Sequence, residues 1–149
     1  QSDTLVQGKV VSVYDGDTCH IALRHPTLKQ VYRFRCRLTG IDTPELRTTS
    51  AEEKEAALKA RNRLIQLATS VGDLLPTGLS CNWKRKLLLD VLNKNDRVIY
   101  VLPGGFDKYG RLLVTLYTEK RRGVSINRRL VCEGLAVPYD GGTKAAFKQ

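Results

Sequence analysis

No apolar run in this sequence approaches the ~20 residues that a membrane-spanning helix needs, so a membrane partner is not expected. There is no methionine, and within the chain, which starts at Gln1, no signal peptide is expected. The chain therefore reads as a processed product or an excised piece, and its compartment is not legible from the terminus. The four cysteines, Cys19, Cys36, Cys81 and Cys132, contain no Cys-x-x-Cys pair, which argues against a zinc site. A chain of 149 residues buries enough surface in one core to need no disulfide framework, so all four are expected as buried free thiols. Acidic residues are scarce as well. Against 25 Lys and Arg there are 15 Asp and Glu, a net charge of +10 that favours polyanionic partners and fast electrostatic capture of nucleic acid. Charge leaves catalysis open, because many basic domains bind nucleic acid without cutting it.

What is present reads most simply as one domain over residues 1–149. Residues 8–14 alternate as a strand, and Asp15-Gly16 predicts a two-residue hairpin turn. In the strand that follows, residues 17–23, Cys19, Ile21 and Leu23 share a face headed by Asp17, a carboxylate that burial would leave in need of a metal or an arginine. A third strand, 31–38, places Tyr32, Phe34, Cys36 and Leu38 on one side and Arg33, Arg35 and Arg37 on the other. Pro44 fixes its own φ and pushes Thr43 toward an extended conformation, which gives the Asp42-Thr43-Pro44-Glu45 corner a defined direction. Strict alternation puts Arg37 and Asp42 on opposite sides. If both serve one site, the strand must break between them, and Gly40 is the candidate.

Ser50-Ala51-Glu52-Glu53 is a capping box that predicts a helix over 50–69. Residues 71–96 carry Gly72, Pro76 and Gly78, and read as an inserted loop followed by a short helix. Trp83 with Lys84, Arg85 and Lys86 either extends a basic surface or packs against the adjacent leucines. Strands are expected at 97–102 and 111–118 with a long turn over 103–110, and then a helix capped by Ser125 and ending near Gly134, with Ile126, Leu130 and Val131 inward. Residues 140–149 are turn-rich. Pattern alone gives an α+β or small-barrel fold.

Four motifs in order carry a more specific reading: Asp15-Gly16-Asp17-Thr18, then Arg37-Leu38-Thr39-Gly40-Ile41-Asp42-Thr43-Pro44-Glu45, then Asp107-Lys108-Tyr109-Gly110-Arg111, and the run from Asn127 to Ala136. Together they resemble the staphylococcal nuclease family over about residues 8–139, interrupted by an insertion at about 71–96. The resemblance implies an α+β, mainly β fold: a five-stranded oligonucleotide-binding barrel with two to three helices. A third helix after residue 140 is part of that pattern, and this sequence does not provide it.

The resemblance also implies a chemistry. Phosphodiester hydrolysis needs a nucleophilic water, neutralisation of charge on the nonbridging oxygens and help for the departing alkoxide. Asp17, Asp42 and the Thr43 carbonyl match the family's ligands for one Ca²⁺ ion, hard oxygen donors for a hard cation. Glu45 matches its general base, Arg37 and Arg111 its two phosphate clamps, and Lys108, Tyr109 and Tyr139 its substrate contacts. Arg33 and Arg35 share the face of Arg37, and only the resemblance selects Arg37. The expected activity is calcium-dependent cleavage of the P–O5′ bond of DNA and RNA with little sugar specificity, leaving 3′-phosphate ends. A monomer acting on single strands in preference to duplexes is expected. The alternative is a catalytically silent binding module of the same fold, and the presence of all five catalytic-type residues, Asp17, Arg37, Asp42, Glu45 and Arg111, favours the enzyme.

Overall fold

Alternating apolar residues in five strands face a common interior and close the sheet on itself. The structure, a computed structural model, describes residues 4–75 and 82–140. In chain order the elements are β1 (Val6–Val13), β2 (Thr18–Arg24), β3 (Val31–Leu38), β4 (Ile41–Asp42) and α1 (Ala51–Ala68), then α2 (Arg85–Leu92), β5 (Ile99–Phe106), β6 (Leu112–Tyr117), α3 (Ile126–Cys132) and β7 (Val137–Pro138). A single 3₁₀ turn, Gly72–Leu74, follows α1. The barrel runs β1-β2-β3-β6-β5, antiparallel at every seam except β3 with β6, which are parallel. It is the mainly β, five-stranded barrel with three helices that the motifs implied.

The third strand falls on the expected residues, with Cys36 and Leu38 fully buried and Arg33 and Arg35 exposed. The β1–β2 connection does not. Instead of a two-residue turn, four residues from Tyr14 to Asp17 link the strands, and the Tyr14 amide donates to the Thr18 carbonyl at 3.0 Å. Gly16 does not need a positive φ there; it needs to be small, since a Cβ would lie 2.7 Å from that of Ala60 and 2.8 Å from Cγ2 of Thr43. The turn is thereby pressed against α1 and the Asp-Thr-Pro-Glu corner.

Ser50 caps α1, its hydroxyl accepting from the Glu53 amide at 3.2 Å. The reciprocal half of the capping box does not form, because the Ser50 amide donates to Thr48 Oγ1 at 3.1 Å. Glu53 instead accepts from Thr48 Oγ1 at 2.8 Å and from the Glu45 amide at 3.3 Å, so it fastens the corner rather than the cap. Leu64, Ile65 and Ala68 of α1 close the barrel floor with Ile21, Ile99, Val101, Val114 and Leu116. Each large side chain removed from water there contributes about 1.5–3 kcal/mol.

The inserted segment does hold a short helix, α2, which buries Leu88, Val91 and Leu92. Its end is tied down by Asn95, whose Nδ2 donates to the Val10 carbonyl at 2.9 Å where β1 shifts register, while its Oδ1 accepts from the Ser70 amide at 2.9 Å. Trp83 packs against the core with its ring 5.6 Å from the Arg61 guanidinium, which favours the packing reading. Pro76, Gly78, Cys81 and residues 141–149 lie outside the described residues, so the turn-rich end and one thiol are not placed.

Two expectations for the second half need correction, and one strand is added. The strand expected at 97–102 begins at Ile99 and runs on to Phe106, through a register shift between Pro103 and Phe106 that accommodates a residue without an amide hydrogen. Residues 137–138 form a further strand, β7, pairing Ile41 with Pro138 and Asp42 with Val137. Cys132 is exposed, unlike the buried Cys19 and Cys36, because α3 turns Ile126, Asn127 and Leu130 inward and leaves position 132 on its outer side.

Candidate active site

β3 ends at Leu38, and Thr39 and Gly40 turn the chain before β4 begins. Gly40 has φ +79°, a conformation that is cheap for glycine and strained for residues with a Cβ. The break resolves the parity conflict between Arg37 and Asp42. Arg37 Nη1 lies 3.0 Å from Asp17 Oδ2, and Nη2 lies 3.4 Å from Asp42 Oδ1.

The break is held from below and from the side. Asn127, buried at the start of α3, donates to the carbonyls of Thr39 at 2.9 Å and Val114 at 3.0 Å, and accepts from the Leu116 amide at 3.0 Å. The Tyr139 amide donates to the Gly40 carbonyl at 2.9 Å, extending the β4–β7 ladder. This brings the Tyr139 ring to 5.5 Å from the Arg37 guanidinium, so an aromatic face abuts the phosphate-clamp candidate.

Asp17 and Asp42 are both buried, and the Thr43 amide donates to Asp17 Oδ2 at 3.1 Å. Two buried carboxylates against one guanidinium leave the cluster negative unless a proton or a further cation joins it. Beside them the Asp15 carboxyl is pushed up to about 8 by burial, then by the charge of Asp17 and the hydrogen bond the two share. Arg37 Nη1, although close to Asp17, has no aligned hydrogen-bond acceptor among the described residues, and the Thr43 hydroxyl is buried without one.

Arg111 joins the cluster through a residue the sequence reading passed over. Its Nη1 donates to Thr18 Oγ1 at 3.3 Å, and Thr18 in turn donates to Asp17 Oδ1 at 3.1 Å. Thr18 also stands opposite Arg37 across β2 and β3. Asp107 anchors Arg111 from the other side, accepting from Nε at 2.8 Å and from the Arg111 amide at 2.9 Å. Burial raises the Asp107 pKa, but those bonds, with one from the Tyr109 amide, outweigh it and hold the carboxyl below its usual range. Both residues lay inside the motifs; an Asp at the head of a turn, whose side chain accepts from the amide two residues on, was the legible signal.

Tyr109 is 65% exposed, and its ring lies 5.5 Å from the Arg111 guanidinium and 5.4 Å from Lys108 Nζ. The three residues flank the site on a loop closed by Gly110 at φ +80°. Glu45 is exposed at the end of the corner, with its amide on Glu53. Asp17, Arg37, Asp42, Thr43, Arg111 and Tyr139 are therefore brought together, with Lys108 and Tyr109 beside Arg111 and Glu45 on the rim. Among the described residues no group of three or more His, Cys, Asp or Glu side chains is arranged to hold a metal ion.

Residues 81–149 match the family model described as staphylococcal nuclease homologue. No curated protein matches the chain. The matched span carries α2, β5, β6, α3 and β7, with Arg111 and Tyr139, whereas Asp17, Arg37, Asp42 and Glu45 precede it. Geometry joins the two halves at the site: β3 pairs with β6, β4 with β7, Thr18 with Arg111 and Arg37 with Tyr139. The resemblance read from the motifs and the barrel topology agree with that match.

Proposed function

We propose that this chain, a staphylococcal nuclease-like domain, is a calcium-dependent phosphodiesterase that hydrolyses DNA and RNA and leaves 3′-phosphate ends. The observation that carries the reading is the convergence of Arg37 on Asp17 and Asp42, with Arg111 linked to the same carboxylate through Thr18. A domain that only bound nucleic acid would have no need to bury two carboxylates against a phosphate-binding surface, where they repel the ligand.

The residues fit one hard divalent cation. Two buried carboxylates and the buried Thr43 hydroxyl without a partner offer oxygen donors and unmet polarity in one place. Asp17, Asp42 and the Thr43 carbonyl would hold the ion. Bound there, Ca²⁺ would supply positive charge to a phosphate oxygen and acidify a water.

Arg37 and Arg111 take the remaining nonbridging oxygens. A planar guanidinium donates two parallel bonds and stays charged throughout, and Arg37 Nη1 has a hydrogen to offer. Glu45 accepts the proton of the attacking water as its oxygen bonds to phosphorus; the P–O5′ bond breaks, the departing O5′ takes a proton from solvent water, and a 5′-hydroxyl and a 3′-phosphate result. Lys108 meets a flanking phosphate, and Tyr109 and Tyr139 stack on or hydrogen-bond to base and sugar. Stacking on exposed tyrosine faces favours unpaired bases, so single-stranded DNA and RNA are preferred, and duplex DNA is cut more slowly. The protein acts as a monomer in this reading.

Digestion of single-stranded DNA, duplex DNA and RNA with Ca²⁺, with Mg²⁺ and with chelator tests it. Cleavage with Ca²⁺ that chelator abolishes is expected. Undiminished cutting in excess chelator overturns the metal assignment, and tight binding with no cutting under any condition makes the chain a silent binding module.

A further inference from the structure

The outer face of the β2–β3 ribbon carries a line of charge that runs beyond the site. Arg33, Arg35 and Arg37 alternate along β3, so neighbours in the line stand about 6.7 Å apart, twice the rise of a strand residue. Their partners across β2 are Ala22, His20 and Thr18, and Lys9 flanks Ala22 from β1. None of these is acidic. Arg33 and Arg35 are exposed, whereas Arg37 is the nearly buried end of the line at the site.

The inserted segment reaches the same face. Arg85 opens α2, and its charge acts on the His20 ring together with those of Arg33 and Arg35; burial first, and then these three guanidiniums, hold the His20 pKa below its usual value. Among the described residues Arg33, Arg35 and Arg85 belong to no ion pair. Arg33 and Arg35, two residues apart on one face of β3 with no acid opposite them, repel one another, a cost that a bound polyanion relieves.

We infer that this row is a phosphate track: a single-stranded nucleic acid runs from Arg37 past Arg35 and Arg33, with Arg85 of the insertion along its flank. The inference rests on the nuclease reading of the Arg37 site and adds where the rest of the substrate lies. A single line of guanidiniums at strand spacing suits one extended phosphate chain, one phosphate per arginine. It also gives the insertion a task, because Arg85 heads a helix packed on β1, the strand beside β2.

Anisotropy with fluorescent oligo-dT of four and of twelve nucleotides, in chelator and with the probe checked as intact afterwards, tests the track. The parent should bind the twelve-mer more tightly than the four-mer. R33Q/R35Q should weaken the twelve-mer by about tenfold and the four-mer by less than about twofold, and flatten the salt slope for the twelve-mer by about 1.4, the release expected for two single-strand phosphate contacts. R85Q should weaken the twelve-mer alone, by a smaller factor. Parental affinity and slope in R33Q/R35Q, equal losses for the two lengths, or no length dependence in the parent would each overturn the track. Because this readout is binding without turnover, a parent that binds as expected but never cuts overturns the nuclease reading and leaves the track standing.

Discussion

Arg37 and Asp42, five residues apart, come within 3.4 Å of each other because the strand stops between them. Regular pleating through Thr39 and Gly40 would have put the two side chains on opposite faces. Arg37→Lys should lose about 10²-fold or more in kcat on a short oligonucleotide, since an ammonium cannot reproduce the fork. Arg35→Lys, one pleat away with its charge kept, should fall within about twofold of the parent. Steady-state kinetics of the two variants separate the assignments: an impaired Arg35→Lys beside a normal Arg37→Lys would shift the clamp by one pleat.

Glu45→Gln should bind substrate like the parent and lose about 10²-fold in rate, the scale of a missing general base. Glu53→Ala should lower the rate too, though less, because Glu53 holds the Glu45 amide and the Thr48 hydroxyl and touches no substrate. Glu53→Gln, which keeps an oxygen acceptor, should restore most of the loss. Equal turnover by Glu45→Gln and the parent would reduce Glu45 to a turn residue.

Thr18→Val keeps the shape of the side chain and removes the hydroxyl that links Arg111 to Asp17. Arg111 would still be held by Asp107, so kcat should drop about tenfold while thermal stability changes by no more than about 1 kcal/mol, the scale of one hydrogen bond. A normal kcat would mean that Asp107 alone places the clamp.

Cysteine chemistry should divide by burial. Cys36, pushed up to about 12 chiefly by burial, and Cys19, raised well above the ordinary thiol range for the same reason, should resist alkylation until the protein unfolds. Cys132 is exposed and should react in the native state. Peptide mapping after a brief iodoacetamide pulse reads this directly, and native labelling of Cys19 or Cys36 would contradict the closed barrel.

A pH dependence is expected at the junction of α1 and α3. Glu133 accepts from Arg63 at 2.7 and 2.9 Å and from Arg129 at 3.0 Å, and the Arg63 bonds above all lower its pKa. A carboxylate depressed on folding adds stability above its unfolded pKa and loses it as pH falls through the folded value. Glu133→Gln should therefore lower the melting temperature at pH 7, by the equivalent of about 1 kcal/mol or less for so exposed a pair. The gap to the parent should close as the pH drops below the ordinary glutamate range. A constant gap down to pH 2 would mean that packing, not charge, sets the difference.

Local patterns were legible where the cause was local. Ser50 and the spacing of Ala57, Ala60 and Leu64 fixed α1, and the alternation of arginines with apolar residues fixed β3 to its observed ends. The break at Gly40 followed from a conflict within six residues. The β1–β2 turn was misread because Gly16 answers to Ala60 and Thr43, contacts from far along the chain that no turn dipeptide encodes. β7 was missed for the same reason: two residues have no period, and only their pairing with Ile41 and Asp42 makes them a strand. Thr18 was visible as the polar residue beside Asp17, yet its two bonds exist only once β2 and the loop before β6 have met. The site's acids and arginines were thus readable, and the residues that hold them were not.

The pairing of β4 with β7 also sets a time. While the chain is being made, Asp17, Arg37, Asp42 and Glu45 emerge long before their supports, and β4 has no partner strand until Pro138 has left the ribosome. The Gly40 carbonyl waits for the amide of Tyr139, and Arg111 must already have reached Thr18. A nascent chain shorter than that carries the acids and the arginines without the β4–β7 pairing that braces them. In the nuclease proposed above, the site that would cut RNA is complete only when nearly the last of the described residues is out.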